Sequence, residues 1–276
     1  VKTLALHCIS LTVGDLPLLQ DFYLSALGFS AVGAPYMVAP DLALYLGADR
    51  IRAVTLQRGR QRIELAAFDP PGAAYPHDRN SNDLIFQHVA LVCEDIHASY
   101  ATLCRHAHTP ISRHGPQNLP GGIIAYKFRD TEGHPLELIQ FPEANPQSAG
   151  GIDHSAISVA DAERSIAFYT DELGFSLAAR QVNTGPAQDA MDDLDGTSVE
   201  VVGLSPKQAT PHVELLGYRS PQGRIGGAMR PADIAATRLV LNVDTLAQHP
   251  HAVVLSDGLR VALIRDPDGH AVLLRE

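Results

Sequence analysis

The chain has no tryptophan, only three methionines and three cysteines, and aromatic residues fill just 6% of its 276 positions. Cys8, Cys93 and Cys104 are odd in number and show no CxxC spacing. A disulfide scaffold is therefore not expected, and a reducing, cytoplasmic setting is. No apolar run reaches the length of a membrane-spanning helix. Val1-Lys2-Thr3 opens directly into a strand-like run without a signal-peptide profile, so no targeting segment is expected. A run of Lys or Arg is also missing. With 31 acidic against 21 basic residues and a net charge of −10, neither a nucleic acid nor an anionic membrane is an expected partner, and a small molecule is. What is present is ordinary globular material, 45% hydrophobic and 19% charged, enough for one large domain or two modest ones. Thirteen histidines invite a metal hypothesis without locating a site.

Internal similarity organises the rest. Cys8-Ile9-Ser10-Leu11-Thr12-Val13-Gly14-Asp15, running through Phe22-Tyr23 to Leu27-Gly28-Phe29, aligns without a gap on a second segment. That segment is His154-Ser155-Ala156-Ile157-Ser158-Val159-Ala160-Asp161, through Phe168-Tyr169 to Leu173-Gly174-Phe175. Each copy reads as a strand, an Asp at a helix N-cap, a helix of roughly three turns, and a Gly where the helix ends. Ile166, Tyr169 and Leu173 make the apolar stripe in the second copy. A fainter copy starts at His88-Val89-Ala90-Leu91-Val92-Cys93-Glu94-Asp95, with Ile96, Tyr100 and Leu103 as its stripe, and a more eroded one runs from Thr237 to Asp244. Each unit closes with strands, so four units of order strand, helix, several strands fill the chain. Their boundaries are expected near residues 68–84, 142–151 and 218–235. The stretch Pro142 to Gly151, rich in Pro, Gly, Asn and Ser, is the expected domain boundary.

The opening motif HxxLxVxD…FY…LGF and the closing DxxGHxxEL resemble the vicinal oxygen chelate superfamily, which includes glyoxalase I, extradiol dioxygenases, epimerases and antibiotic-resistance proteins. The closing motif stands as Asp130-Thr131-Glu132-Gly133-His134-Pro135-Leu136-Glu137 and again, altered, as Asp266-Pro267-Asp268-Gly269-His270-Ala271-Val272-Leu273. The resemblance implies an α+β fold: four βαβββ modules forming two open, cupped β-barrels with helices outside. It implies a tandem of domains at 1–145 (modules 1–67 and 84–141) and 150–276 (modules 150–217 and 236–276). One fold of this kind hosts many reactions, so function must be argued from the site.

In the resembled family each module can offer a metal ligand from its first strand and one from its last. Strand alternation makes this physically sensible, since His88, Ala90 and Val92 share one face while Val89, Leu91 and Cys93 share the other. Glu137 lies between Leu136 and Leu138, and Glu214 between Val213 and Leu215, in the same way; a charge on such a face needs compensation, which a cation supplies. The four units carry Cys8 and Glu64, His88 and Glu137, His154 and Glu214, and Arg238 and Leu273 at these positions. Only the middle two are complete. The expected metal set is therefore His88, Glu137, His154 and Glu214, holding one divalent ion among zinc, nickel, iron and manganese. It requires unit two to pair with unit three, the preferred arrangement, rather than one with two and three with four. Units one and four would then form a metal-free cup in which Arg238 faces Glu64 as an ion pair.

Other candidates are weaker. A lone strand histidine is ordinarily a core residue bonded to a carbonyl; recurrence in two units with a downstream Glu is what favours His88 and His154 as ligands. His7 lies one residue off register and should face away from the cup, and Cys8 reads more readily as a small buried hydrophobe than as a thiolate. His212 shares the face of Glu214 and is a candidate substrate contact, as are Tyr126 and Arg113; packing and solvation are the plainer readings of the last two. Arg224 beside the second Gly-rich stretch is read in the same way as Arg113. His134 and His270 are expected to be structural. The Gly-rich stretches at 115–122 and 221–227 lack phosphate-loop spacing and read as loops at a barrel mouth. Three functions follow. The first is glyoxalase-type proton transfer next to a carbonyl, as an isomerase, epimerase or lyase, with Glu214 or Glu137 as base. The second is iron-dependent extradiol ring cleavage of catechols, and the third a metal-free drug- or metabolite-binding resistance protein. A single chain already holds four units, so a monomer or a homodimer would serve.

Overall fold

A computed structural model describes residues 1–142, 151–208, 210–227 and 229–276; most of the Pro142 to Gly151 stretch expected as a boundary lies outside the described residues. Unit one comprises β1 (Thr3–Val13), α1 (Leu16–Leu27), β2 (Ser30–Ala31), β3 (Tyr36–Met37), α2 (Pro40–Tyr45), β4 (Arg50–Arg58) and β5 (Gln61–Asp69). Unit two comprises β6 (Gln87–Val92), α3 (Ile96–Leu103), β7 (Thr109–Pro110), β8 (Gln117–Asn118), β9 (Ile124–Arg129) and β10 (Pro135–Gln140). In unit three β11 (Gly151–Ser158) leads to α4 (Ala162–Ala167), which continues as a π-helical turn, Phe168–Glu172. Then come β12 (Ser176–Thr184), α5 (Pro186–Asp192), β13 (Ser198–Ser205) and β14 (His212–Ser220). Unit four has β15 (Arg238–Val243), β16 (Val253–Val254), β17 (Arg260–Arg265) and β18 (Ala271–Arg275).

The helix starts follow from their caps. Asp15, Asp95 and Asp161 each sit in extended backbone and accept from amides two or three residues on, which satisfies donors that the first turn leaves open. Gly28 ends α1 at φ 69°, a left-handed conformation that costs other residues a steric penalty. The fourth unit departs from the expected module. Its connection at 244–252 forms turns and no helix, and Pro250 removes a backbone donor in the middle of that short stretch.

The strands make two nine-stranded sheets. One follows the order β16-β17-β18-β15-β1-β5-β4-β2, with β3 also on β4; the other follows β12-β13-β14-β11-β6-β10-β9-β7, with β8 also on β9. The junctions are the antiparallel pairs β1 with β15 and β6 with β11. Units one and four therefore share a sheet, as do units two and three, and each sheet takes one unit from either half of the sequence. Both sheets remain open.

Alternation along the strands sorts the side chains as the pattern predicts. Val89, Leu91 and Cys93 join Ile9, Leu11, Leu136, Leu138, Val213 and Leu215 in the largest apolar cluster, which also takes in the buried faces of α1, α3 and the α4 segment. Ala90 and Val92 belong to a separate cluster on the concave side, with Ile139, Phe141 and Met191. The repeated FY and DxxGH motifs meet in this core. Tyr23 donates to Asp130 Oδ2 at 3.1 Å, and His134 donates from Nδ1 to Asp130 Oδ2 (2.8 Å) and from Nε2 to the Thr12 carbonyl (2.9 Å). His270 makes the matching contact with the Ser158 carbonyl at 3.3 Å, so both histidines are structural, tying the end of a unit's first strand to the closing turn of the next unit.

Candidate metal centre

The parallel registers set the cup residues. Glu137 pairs with Ala90, two beyond His88; Glu214 pairs with Ala156, two beyond His154; Glu64 pairs with Ser10, two beyond Cys8; and Leu273 pairs with Val240, two beyond Arg238. The four positions assigned in each pair from the sequence are thus geometrically equivalent.

In the second sheet the two complete pairs converge. His88 Nε2 is 2.7 Å from Glu137 Oε2 and 3.3 Å from His154 Nε2. His154 Nε2 lies 3.5 Å from Glu214 Oε2 and 4.0 Å from Glu137 Oε2. His88, Glu137 and His154 are buried, whereas the Glu214 side chain is 22% exposed to the cup. The cup encloses about 970 Å³, near the upper end of small-molecule sites.

Three further groups complete it. His212 lies beside Glu214, with Nε2 3.4 Å from Oε1, as its shared face predicts. Asp153 accepts from His154 Nδ1 at 2.8 Å and lies 3.9 Å from His212 Nδ1. Strict alternation would turn Asp153 away from the cup. A register shift in β11 between Ile152 and His154 puts both neighbours on the concave side, as β-bulges do. Lys127, cross-strand from Glu137, is buried and donates to Asp192 Oδ1 at 2.6 Å, and Gln188 donates to Asp192 Oδ2 at 2.7 Å. Asp192 and Gln188 come from α5, an element the sequence reading missed although Gly185-Pro186, with proline in the first turn, is a start signal.

Several expectations are corrected. Tyr126 faces away from the cup: its ring packs edge-on to Tyr100 and parallel to Phe128 in the main core, and Lys127 takes the cup-facing position. Arg113 is held at the surface by Asp193 (2.5 Å) and Asp195 (2.7 Å). Arg224 is bound to Asp83 and Asp78, so the 221–227 stretch packs on residues 78–85 rather than serving the cup. The 115–122 stretch does reach the mouth, where Leu119 lines the cup with Ile123. His7 lines the other cup, through the corresponding shift in β1 between Leu6 and Cys8, and accepts from Arg275 at 2.9 Å. Arg238 makes no direct pair with Glu64; the Ser10 hydroxyl stands between them.

Electrostatics bind the centre together. Burial pushes the Glu137 carboxyl up, but the His88 hydrogen bond and charge overcome this and leave it below its ordinary range. Burial also raises Glu214, while His154 and His212 pull it down to about 2. Burial lowers His154, and Glu214, Asp153 and Glu137 together lift it to about 9. His88, Glu137 and His154 bring their donor atoms within 4.8 Å of one another, a mixed imidazole and carboxylate set that fits a divalent cation, and Glu214 adjoins it through its 3.5 Å approach to His154. Asp153 holds the Nδ1 proton of His154 and leaves Nε2 as the donor atom, the usual arrangement behind a metal-binding histidine.

Comparison with known proteins follows the same lines. A family model for the glyoxalase/bleomycin resistance protein/dioxygenase superfamily matches residues 5–138 and 151–274. Among solved structures, glyoxalase I from Zea mays is similar over 99% of this chain and 92% of its own, with a TM-score of 0.64 at 17% identity. A candidate dioxygenase from Bacillus subtilis is similar over 99% of this chain and 85% of its own, with a TM-score of 0.61 at 13% identity. At such identities the likeness is one of fold. No curated protein matches the chain. Two copies of the family model, covering nearly every described residue, place this chain in the glyoxalase/bleomycin resistance protein/dioxygenase superfamily.

Proposed function

We propose that the chain is a metal-dependent enzyme of glyoxalase type that binds adjacent oxygens of a small substrate and transfers a proton next to a carbonyl, as an isomerase, epimerase or lyase. The observation that carries this reading is the convergence of His88, Glu137, His154 and Glu214, two ligand pairs from equivalent strand positions, in one cup. These four residues would hold one divalent ion, of the zinc, nickel, iron or manganese kind that suits mixed imidazole and carboxylate donors. Such an ion, when bound, supplies Lewis-acid polarisation of a carbonyl oxygen.

The protein groups divide the remaining work. Glu214 is the base by position, because its carboxylate opens to the cup while Glu137 is buried against His88. To take a proton it must first be released from the His154 and His212 charges that hold it at about 2. His212, in reach of Glu214 Oε1, orients that carboxylate and exchanges protons with it. Lys127, held by the buried Asp192, is a fixed polar group on the cup wall, and Leu119, Ile123 and Met191 add apolar lining. The reading takes the protein as cytoplasmic and needs no second chain, since one chain supplies every group.

Elemental analysis of the purified protein, with His88→Ala and His154→Ala beside it, tests the metal. NMR detection of solvent deuterium entering α-hydroxycarbonyl compounds tests the reaction. Native metal content in both variants would overturn the proposal. A second reading, extradiol ring cleavage, draws on one observation: His88, Glu137 and His154 form the tightest trio, a two-histidine, one-carboxylate face. Aerobic reconstitution with iron and a catechol cleavage assay separate the two.

A further inference from the structure

The sheet of units one and four has a cup of its own, which α2 helps cover to leave a cavity of about 280 Å³. This lies near the lower end of small-molecule sites and is roughly twice the size of a cavity that takes up benzene. Its walls are apolar, with Leu42 and Leu46 from the helix side and Ile51, Phe68, Val240 and Leu273 from the sheet.

Polar groups gather on one part of the lining, among them Ser10, Tyr36, Arg62, Glu64, Arg238 and Arg275. Arg238, 1% exposed, occupies the position that His88 and His154 hold in the other cup. Its Nη1 donates to Thr12 Oγ1 (2.8 Å) and to the carbonyls of Pro231 (2.8 Å) and Ala236 (3.1 Å), and its Nη2 to Ser10 Oγ (2.9 Å). Every one of these acceptors is neutral. Among the described residues its Nε has no partner, and no carboxylate touches it. The Phe68 ring, 5.0 Å away, offers only its face. Glu64 is kept apart, accepting from Ser10 (2.9 Å) and from Tyr36 (2.7 Å). Arg62 and Arg275 also line the cavity, so three guanidinium groups meet one carboxylate there. A buried cation with neutral neighbours is only partly compensated. A planar fork with free donors at the edge of an apolar cavity matches a carboxylate in shape and charge. Glu64 would repel a second negative group.

We propose that this cup is a second binding site, for a small monocarboxylate with an apolar body. The carboxylate takes the free donors of Arg238, and the body lies among the α2 leucines, Phe68 and Val240. Arg238 there does with a fixed side-chain cation what the other cup would do with an ion.

The absence of tryptophan allows a local test. Met37 lines the cavity and is 56% exposed, so Met37→Trp places a sole tryptophan at its rim. The full-length variant is titrated with benzoate, 4-methylbenzoate and hexanoate, and with benzamide as the uncharged isostere. At least one carboxylate is expected to give a saturable fluorescence change with Kd of about 1 mM or tighter. Benzamide should bind at least tenfold more weakly, and adding His154→Ala should leave the titration unchanged. The proposal is overturned if no carboxylate saturates, if benzamide binds equally, or if His154→Ala abolishes the change, which would place the ligand in the other cup. Since the last arm disables only the metal ligands, failure of the enzyme reading and failure of this one are told apart. Arg238→Met should weaken carboxylate binding tenfold or more while sparing benzamide; should that variant not fold, the benzamide comparison still decides.

Discussion

Asp153 and His154 are consecutive in the chain, yet both point into the same cup and meet at 2.8 Å, because a bulge interrupts the alternation of β11. The carboxylate sets the imidazole's orientation and the nitrogen on which its proton rides. Asp153→Asn should therefore retain the fold and weaken divalent-metal affinity about 10- to 100-fold, as loss of such a supporting group does. Competition with a chromophoric chelator measures it; unchanged affinity would remove Asp153 from the centre.

Glu137 and Glu214 should separate kinetically. Glu214→Gln, compared at full metal loading because it removes a ligand as well as the base, is expected to lower kcat by roughly 10²- to 10⁴-fold with little change in KM. Glu137→Gln, which breaks the 2.7 Å contact with His88, should instead deplete the metal. Paired metal analysis and steady-state kinetics on both variants check this. Equal kcat losses at full metal content would sink the assignment of Glu214 as base.

Lys127 and Asp192 form a buried pair reaching from one unit to the next. Removing one partner leaves the other charge without compensation, so Asp192→Ala should cost about 3–5 kcal/mol in urea unfolding, and Lys127→Met with Asp192→Leu should recover most of it. Additive losses in the double variant would contradict the pairing.

His134 gives the fold a pH dependence of known sign. Burial lowers its pKa, but Asp130 more than reverses this and raises it above its ordinary value, leaving an imidazolium that donates from both nitrogens. A raised folded-state pKa stabilises fully below the unfolded value, about 6.5. That stability is lost as pH climbs through the folded value. Urea midpoints should hold steady below this window, fall across it and level off above it, and His134→Gln should flatten that fall. A wild-type midpoint rising with pH across the window would disprove it.

The sequence made the repeat, the helix caps, the apolar stripes and the convergence of His88 and Glu137 with His154 and Glu214 legible, because period and spacing survive in the string. Asp153 and His7 were not, since a bulge leaves no mark in an alternating pattern. Lys127 was hidden by its partner, which lies 65 residues away on the short helix α5 of the next unit. Reading Tyr126 into the cup was an error of parity by one residue: the register with β10 puts Lys127, not Tyr126, opposite Glu137.

The junctions of β1 with β15 and β6 with β11 bear on how the two cups came to differ. A symmetric dimer of one sequence half would build the same pair of cups, each from the first unit of one subunit and the second unit of its mate, and symmetry would force them to be identical. Any change that spoiled one cup would spoil both. Carrying both halves on one chain lifts that constraint, so that Arg238 can stand in one cup while His88 and His154 stand in the other.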